Sequence, residues 1–84
     1  MIQTRQLITN PGQIGRIIVG RRKALRLTQH AIAENLGISQ GRYSSIEDNP
    51  ARITLDRLIT IAKLLGLELV IQNKSAATIP TSEW

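Results

Sequence analysis

Residues 27–40 read LTQHAIAENLGISQ and carry the main structural signal of the chain. Two short segments with apolar residues on one side flank Gly37, and each begins after a residue that favours a helix N-terminus, Thr28 or Ser39. Gly37 tolerates a positive φ and so suits the end of the first segment. The stretch therefore predicts two short helices joined by a turn over residues 37–39.

Helices are also predicted on both sides of this pair. Asn10 followed by Pro11, with Gln13 three residues after the cap, is typical of a helix start. Thr54 begins another helix, which Gly66 ends, and Asn49–Pro50 ends the segment from Gln40 to Glu47. The apolar faces of the first and last helices are Ile14, Ile17, Ile18 and Leu25, and Leu55, Leu58, Ile61, Ala62 and Leu65. The pattern predicts an all-α domain of four to five helices over residues 11–66.

Both ends of the chain show a different pattern. Residues 67–73 alternate apolar and polar side chains, which predicts a β-strand with Leu67, Leu69 and Ile71 on one side. A lone strand is unstable, so it pairs either with residues 4–9 or with a second copy, and we favour a homodimer. Residues 1–10 are predicted to be extended, and residues 74–84 to form a disordered tail.

Composition excludes several classes of function. The chain has 84 residues, no Cys, a single His and scattered acids, so no metal site and no nucleophile–base set can be assembled. We therefore expect no enzyme, no cofactor and no small-molecule substrate. The longest stretch without charge, residues 6–15, is far shorter than the roughly 20 apolar residues of a membrane helix. Nothing resembles a secretory signal, and we expect a cytoplasmic protein.

The net charge of +5 is concentrated at the start of the chain. Residues 1–33 contain six basic residues and no acid, whereas the rest of the chain nearly balances. Such a field attracts phosphate backbones but selects no base sequence. By composition alone, a solvated basic helix face is the simpler interpretation.

The segment 27–40 resembles the helix-turn-helix of the Xre and lambdoid phage-repressor family. In that family a Thr-Gln pair opens the first helix of the motif, Leu-Ala lies inside it, and Gly-hydrophobic-Ser-Gln leads into the recognition helix. This chain has Thr28–Gln29, Ile32–Ala33 and Gly37–Gln40 at those places, and Ile46–Glu47 match the closing pair. The resemblance covers residues 11–66 and implies a lambda-repressor-like fold that binds double-stranded DNA.

The resemblance also implies residue roles. Gln40, Gly41 and Ser45 stand where the family faces base edges, and Ser39 caps the helix whose N-terminus enters the major groove. The DNA-binding residues so implied are Gln29, Ser39, Gln40, Gly41, Arg42 and Ser45, with Arg42 and Gln29 reaching phosphates and Gln29 also bracing Gln40. At Gly41, either the backbone approaches DNA closely or the substitution is neutral.

Other positions of the resemblance are structural. Arg22 and Glu47 match an ion pair between the first and third helices, so Arg22 is not expected to touch DNA. Tyr43 stands where the family has an aliphatic core residue and is predicted to be buried in the core, with a contact in the DNA groove as the alternative. Four other basic residues of the first third stay open as contacts with the DNA backbone: Arg16, Arg21, Lys23 and Arg26.

A closer resemblance within that family is to the HipB-type antitoxins. It rests on Asn10–Pro11, on the insertion 48–50 followed by Thr54–Leu55, on the strand 67–72 and on a polar tail ending Glu83–Trp84. It implies a homodimer that binds a palindromic operator, represses its own operon and neutralises a HipA-like serine/threonine kinase toxin. Trp84 is the predicted contact with that partner, or a degradation mark. The alternative functions are a free-standing Xre regulator, phage-like or host, and an interaction module that does not bind DNA.

Overall fold

The computed structural model of the chain describes residues 5–74. Within that range the chain forms four α-helices and a single 3-10 turn, and it contains no β-strand. The α-helices are α1 (Pro11–Ala24), α2 (Gln29–Leu36), α3 (Gln40–Asp48) and α4 (Leu55–Leu64), and the 3-10 turn (Pro50–Arg52) lies between α3 and α4. The all-helical architecture predicted for residues 11–66 is confirmed.

Side-chain caps define where the helices begin. The Asn10 side chain accepts a hydrogen bond from the Gln13 backbone N–H at 3.2 Å, and the Gln13 side chain accepts one from the Asn10 N–H at 3.0 Å. Thr28, Ser39 and Thr54 cap α2, α3 and α4 in the same way, each accepting from the N–H three residues ahead. All four predicted starts are confirmed, because a cap depends only on residues close in sequence.

The turn between α2 and α3 follows the prediction. Gly37 has φ 71° and ψ 30°, the left-handed conformation that favours glycine at a helix end. The Ile38 N–H then donates to the Ala33 carbonyl at 3.0 Å, which closes the end of α2. Only three residues separate α2 from α3, so the two short helices pack directly against each other.

A small aliphatic core with one aromatic ring holds the four helices together. Tyr43 is fully buried, which confirms its predicted place in the core. The other members of the buried cluster come from α1, α2, α4 and the residue that caps the end of α4: Ile18, Ile32, Ala33, Ile61 and Leu65.

Two predicted core positions are wrong. Leu55 is 69% exposed, because it occupies the first position of α4 and lies at the edge of the buried stripe. Leu25 is 40% exposed, because α1 ends at Ala24 and the chain turns away at Arg26, whose φ of 58° is left-handed. The periodicity that placed Leu25 on the apolar face assumed a helix that continues.

The β-strand predicted over residues 67–73 is not formed in the single chain, because within residues 5–74 no other segment pairs with it as a strand. The Leu67 N–H donates to the Ala62 carbonyl at 2.8 Å, and the Leu67 side chain packs on the core, so Leu67 stabilises the fold of the single chain. Leu69 and Ile71 are exposed, as is Val70. Their pairing with a second copy stays a prediction. The tail predicted for residues 74–84 lies, apart from Lys74, outside the described residues, as does Trp84. No helix in residues 5–74 is long and apolar enough to cross a membrane.

Candidate nucleic-acid interface

The N-terminal end of α3 projects from the domain and is open to solvent. Gln40, Gly41 and Arg42 are all exposed, while Tyr43 immediately after them is buried and anchors the helix. The Ser39 side chain accepts from the Arg42 N–H at 3.1 Å. The N–H groups of Gln40 and Gly41, in the first turn of α3, have no intrahelical acceptor. A helix end of this kind offers both side chains and backbone donors to an anionic surface.

Gln40, Gly41 and Ser45 all lie on solvent-exposed parts of α3. A methyl group added at Gly41 would meet no atom within 4 Å, so packing in the monomer does not require glycine there. The Ser45 hydroxyl donates to the Gly41 carbonyl at 3.2 Å, which leaves its lone pairs to accept from outside. In this rotamer Ser45 suits a base amino group, such as that of adenine or cytosine.

An ion pair beneath this surface joins α1 to α3. The Arg22 guanidinium donates from Nε to Glu47 Oε2 at 2.7 Å and from Nη2 to Glu47 Oε1 at 3.1 Å. Arg22 Nη1 also donates to the Leu27 carbonyl at 3.1 Å, beyond the end of α1. The Glu47 side chain is only 3% exposed, so the predicted structural pair is present and buried.

The surroundings of Glu47 keep it ionised. Burial alone would raise the pKa of the Glu47 carboxyl, but hydrogen bonds from Arg22 and Gln29 together with the Arg22 charge lower that pKa below its ordinary value. The hydrogen bond to Glu47 in turn raises the pKa of Arg22. A buried carboxylate is tolerated here because donors satisfy both of its oxygens.

Gln29 does not make the predicted contact with Gln40 in this structure. Its side-chain amide donates from Nε2 to Glu47 Oε1 at 2.9 Å rather than contacting Gln40. Because an ionised carboxylate only accepts hydrogen bonds, the amide nitrogen of Gln29 must face inward. Gln29 thus links α2 to the Arg22–Glu47 pair, a connection across 18 residues of sequence that no local pattern could reveal.

The Tyr43 hydroxyl lies in the same buried region. Burial raises the pKa of Tyr43, and the nearby Glu47 carboxylate raises it further. Among the described residues the hydroxyl finds no hydrogen-bond partner of acceptable geometry. The ring packs in the core, so Tyr43 contributes to the position of α3 and not to its outer face.

The basic residues of the first third fall into different environments. Arg21 donates from Nε to the Leu65 carbonyl at 2.7 Å and thereby closes the end of α4, so its role is structural. Arg16 and Lys23 are exposed along an open groove of about 510 Å³ between α1 and the end of α3. Arg26 is exposed in the turn after α1. Three of these four residues are therefore free to meet a phosphate backbone.

Some residues important to this surface have no signal in the sequence pattern. Gly15 is buried, and a methyl group on it would lie 3.0 Å from Pro50 Cγ and 3.2 Å from the Glu47 carbonyl oxygen. It lets α1 approach the end of α3. A second cavity of about 330 Å³ lies beside Ser45 and is lined in part by Asn49 and Arg52. In the sequence, the segment that contains these two residues is recognisable only as a turn that ends a helix.

The described residues offer no centre for metal chemistry. Residues 5–74 hold no group of three or more His, Cys, Asp or Glu side chains placed to bind an ion. His30 is exposed on α2, where its ring lies 3.7 Å from Glu34.

Comparison with known proteins gives one match. The family model described as Helix-turn-helix matches residues 11–72, about three quarters of the chain. That range runs from the Asn10-capped start of α1 through α4 into the segment after Gly66. No curated protein and no solved structure matches the chain.

Proposed function

The chain belongs to the helix-turn-helix family, and we propose that it is a dimeric, autorepressing antitoxin within that family. Membership in this family makes the protein a sequence-specific DNA-binding regulator of Xre type. The finer proposal adds a palindromic operator, a second copy of the chain and a HipA-like kinase toxin as partners. It assigns the protein no catalytic activity of its own.

The observation that supports operator binding is the open N-terminal end of α3. Gln40, Gly41 and Ser45 are exposed on a helix held from behind by Tyr43 and Glu47, both buried. A helix presented in this way can enter the major groove with its first residues against base edges. The exposed cations Arg42, Arg16 and Lys23 add the charge that a phosphate backbone requires.

The dimer in this proposal uses the segment after Gly66. Leu69 and Ile71 are exposed, and the backbone of residues 68–74 has no ladder partner within the described chain. A two-fold axis would supply an antiparallel partner strand and cover these side chains. Two recognition helices related by that axis would read half-sites about one helical turn, roughly 34 Å, apart.

The antitoxin role is supported by sequence resemblance to the HipB-type antitoxins. Asn10–Pro11, the insertion 48–50 and Glu83–Trp84 carry that resemblance. A free-standing Xre repressor without a toxin fits residues 5–74 equally well. What separates the two is a partner protein, for which Trp84 is the proposed anchor.

One experiment tests each layer of the proposal. Tagged full-length protein is co-expressed with the product of the neighbouring gene, and the purified material is assayed for mass and for binding to the DNA upstream of its own gene. Dimers that bind this DNA and co-purify with a kinase are expected, and Trp84→Ala should weaken the kinase complex but not DNA binding. Operator binding without a partner protein would make the chain a free-standing regulator. Failure to bind any DNA would reject the proposal as a whole.

A further inference from the structure

A cavity of about 330 Å³ opens beside the outer face of α3, between its C-terminal half and the 3-10 turn. We propose that this cavity, called here the Asn49 cavity, reads one A·T base pair in addition to the pair proposed for Gln40. Its lining residues are Ser45, Ile46, Asn49, Arg52 and Ile53. The inference rests on the proposed DNA-binding function and deepens it by adding specificity-determining residues.

The backbone around the Asn49 cavity is held in place by hydrogen bonds. The Asn49 N–H donates to the Ser45 carbonyl at 2.9 Å and ends α3, and the Arg52 N–H donates to the Asn49 carbonyl at 3.0 Å. The Ile53 N–H donates to the Pro50 carbonyl at 3.2 Å. The polar side chains at the rim are therefore presented from a fixed frame, which lowers the entropy cost of binding.

The rim of the cavity has polar groups that the monomer does not use. Asn49 and Arg52 are exposed, and within residues 5–74 neither side chain makes a hydrogen bond or an ion pair. Ser45 uses its proton on the Gly41 carbonyl and offers acceptor lone pairs. Residues that carry an amide, a guanidinium and a hydroxyl thus line one open cavity, and one of them, Ser45, is also a proposed base-reading residue of α3.

The floor of the cavity is apolar. Ile46 and Ile53 are half-buried and pack against the core, so their outer surfaces stay in fixed positions below the rim. In the major groove, only thymine presents a methyl group, and adenine presents the adjacent acceptor and donor that an Asn amide matches. One A·T pair supplies both the methyl group and the acceptor–donor pair. In the proposed contact, the thymine methyl group packs on Ile46 and Ile53, and adenine forms hydrogen bonds with the Asn49 amide.

Arg52, the last residue of the 3-10 turn, completes the proposed contact. Its charge is suited to the phosphate that adjoins the base pair, which fixes the register of the turn on the duplex without selecting a base. Guanine is the competing partner for an exposed arginine, because its two acceptors fit a guanidinium. The two assignments predict different effects of removing Arg52. A phosphate contact costs the same affinity on every DNA sequence, whereas a guanine contact costs affinity only on DNA that has guanine at that position.

The test uses the full chain and a duplex that wild-type protein enriches from a randomised library. Each thymine of that duplex is replaced singly by uracil, which removes only the methyl group. One thymine per half-site is expected to cost about fourfold in affinity. Asn49→Ala should lose about tenfold on the enriched duplex and little on unrelated DNA. It should also lose discrimination against G·C at the pair that contains the sensitive thymine.

Arg52→Ala should weaken enriched and unrelated DNA alike and lower the salt dependence by about 0.9 per chain. Asn35→Ala and Lys63→Ala are the matched controls, since both residues are exposed, lie outside the Asn49 cavity and do not belong to the basic first third of the chain. Melting temperatures of all variants should equal that of wild type, because none of these side chains is buried.

Several results would overturn the inference. If no thymine of the enriched duplex is sensitive to replacement by uracil, the apolar floor does not contact a thymine methyl group. If Asn49→Ala binds DNA as well as Asn35→Ala does, the Asn49 amide does not contact a base. If Arg52→Ala loses a preference for G·C at one position of the enriched duplex, Arg52 contacts guanine and not a phosphate. If wild-type protein enriches no sequence, the proposed function itself fails. If it does and Gln40→Ala is impaired while Asn49→Ala is not, only this inference fails.

Discussion

The Arg22 guanidinium donates two hydrogen bonds to the Glu47 carboxylate, at 2.7 Å and 3.1 Å, across 25 residues of sequence. Gln29 donates a third at 2.9 Å, so this one carboxylate connects α1, α2 and α3. Glu47 lies on α3 itself, four residues after the buried Tyr43. The orientation of the helix that presents Gln40 and Ser45 is therefore set from within the core.

Glu47→Ala is expected to destabilise the fold by about 3 kcal/mol, because Arg22 would lose its counter-charge in a largely buried position. The free energy of unfolding in urea measures the effect. Glu34→Ala is the matched control, since the Glu34 side chain is 75% exposed and its loss should change little. Equal stability of the two variants would contradict a structural role for the pair.

The stability of the protein should fall in acid because of Glu47. Its pKa is lower in the folded chain than the ordinary unfolded value of about 4.3. The stabilisation is therefore complete above that value and is lost as the pH falls through the lower folded pKa. Glu47→Gln cannot titrate, so its unfolding free energy should depend less on pH below about pH 4.3. Parallel curves for wild type and Glu47→Gln would show that other groups cause the acid loss.

Two glycines of α1 should respond oppositely to alanine. Gly15→Ala places a methyl group 3.0 Å from Pro50 Cγ and 3.2 Å from the Glu47 carbonyl oxygen, and should destabilise by about 1–3 kcal/mol. Gly20→Ala meets no atom within 4 Å and should stabilise by up to about 1 kcal/mol through helix propensity. Thermal unfolding of the two variants measures the difference. A stabilised Gly15→Ala would mean that α1 can move away from the 3-10 turn without cost.

Gln40→Ala should cost about 1–3 kcal/mol of binding on the enriched duplex and almost nothing on unrelated DNA. Gln40 is exposed at the start of α3, so the fold should not change. Titrations of a labelled duplex measure both affinities, with Gln6→Ala as a matched exposed glutamine. The same loss on both DNAs would assign Gln40 to the backbone instead of a base.

Much of the helical layout was predictable because its signals are local. Each cap at Asn10, Thr28, Ser39 and Thr54 joins a side chain to an N–H three residues ahead, and Gly37 ends α2 through its own backbone conformation. One of the two errors in the core arose where a local pattern met a change of chain direction. Leu25 kept its place in the periodicity, but Arg26 adopts a left-handed φ and the helix stops before it.

The candidate site divides in the same way. The exposure of Gln40, Gly41 and Arg42 follows from their place at the start of a capped helix, and the Arg22–Glu47 pair was accessible only through resemblance. Three other contacts had no signal in the sequence pattern. They are the hydrogen bond from Gln29 to Glu47, the hydrogen bond from Arg21 to the Leu65 carbonyl and the close packing of Gly15 on Pro50. Each joins residues far apart in the chain, so each needs the packed helices before it exists.

Helix order, helix starts and the motif over residues 27–40 are thus already present in the amino-acid sequence, because hydrogen bonds over three or four residues and apolar periodicity specify them. The partners of the long polar side chains and the cavity beside Ser45 depend on folding. A guanidinium or an amide can reach many acceptors from a helix surface, and only the packing of the helices against one another selects the acceptors that Arg21, Arg22 and Gln29 use.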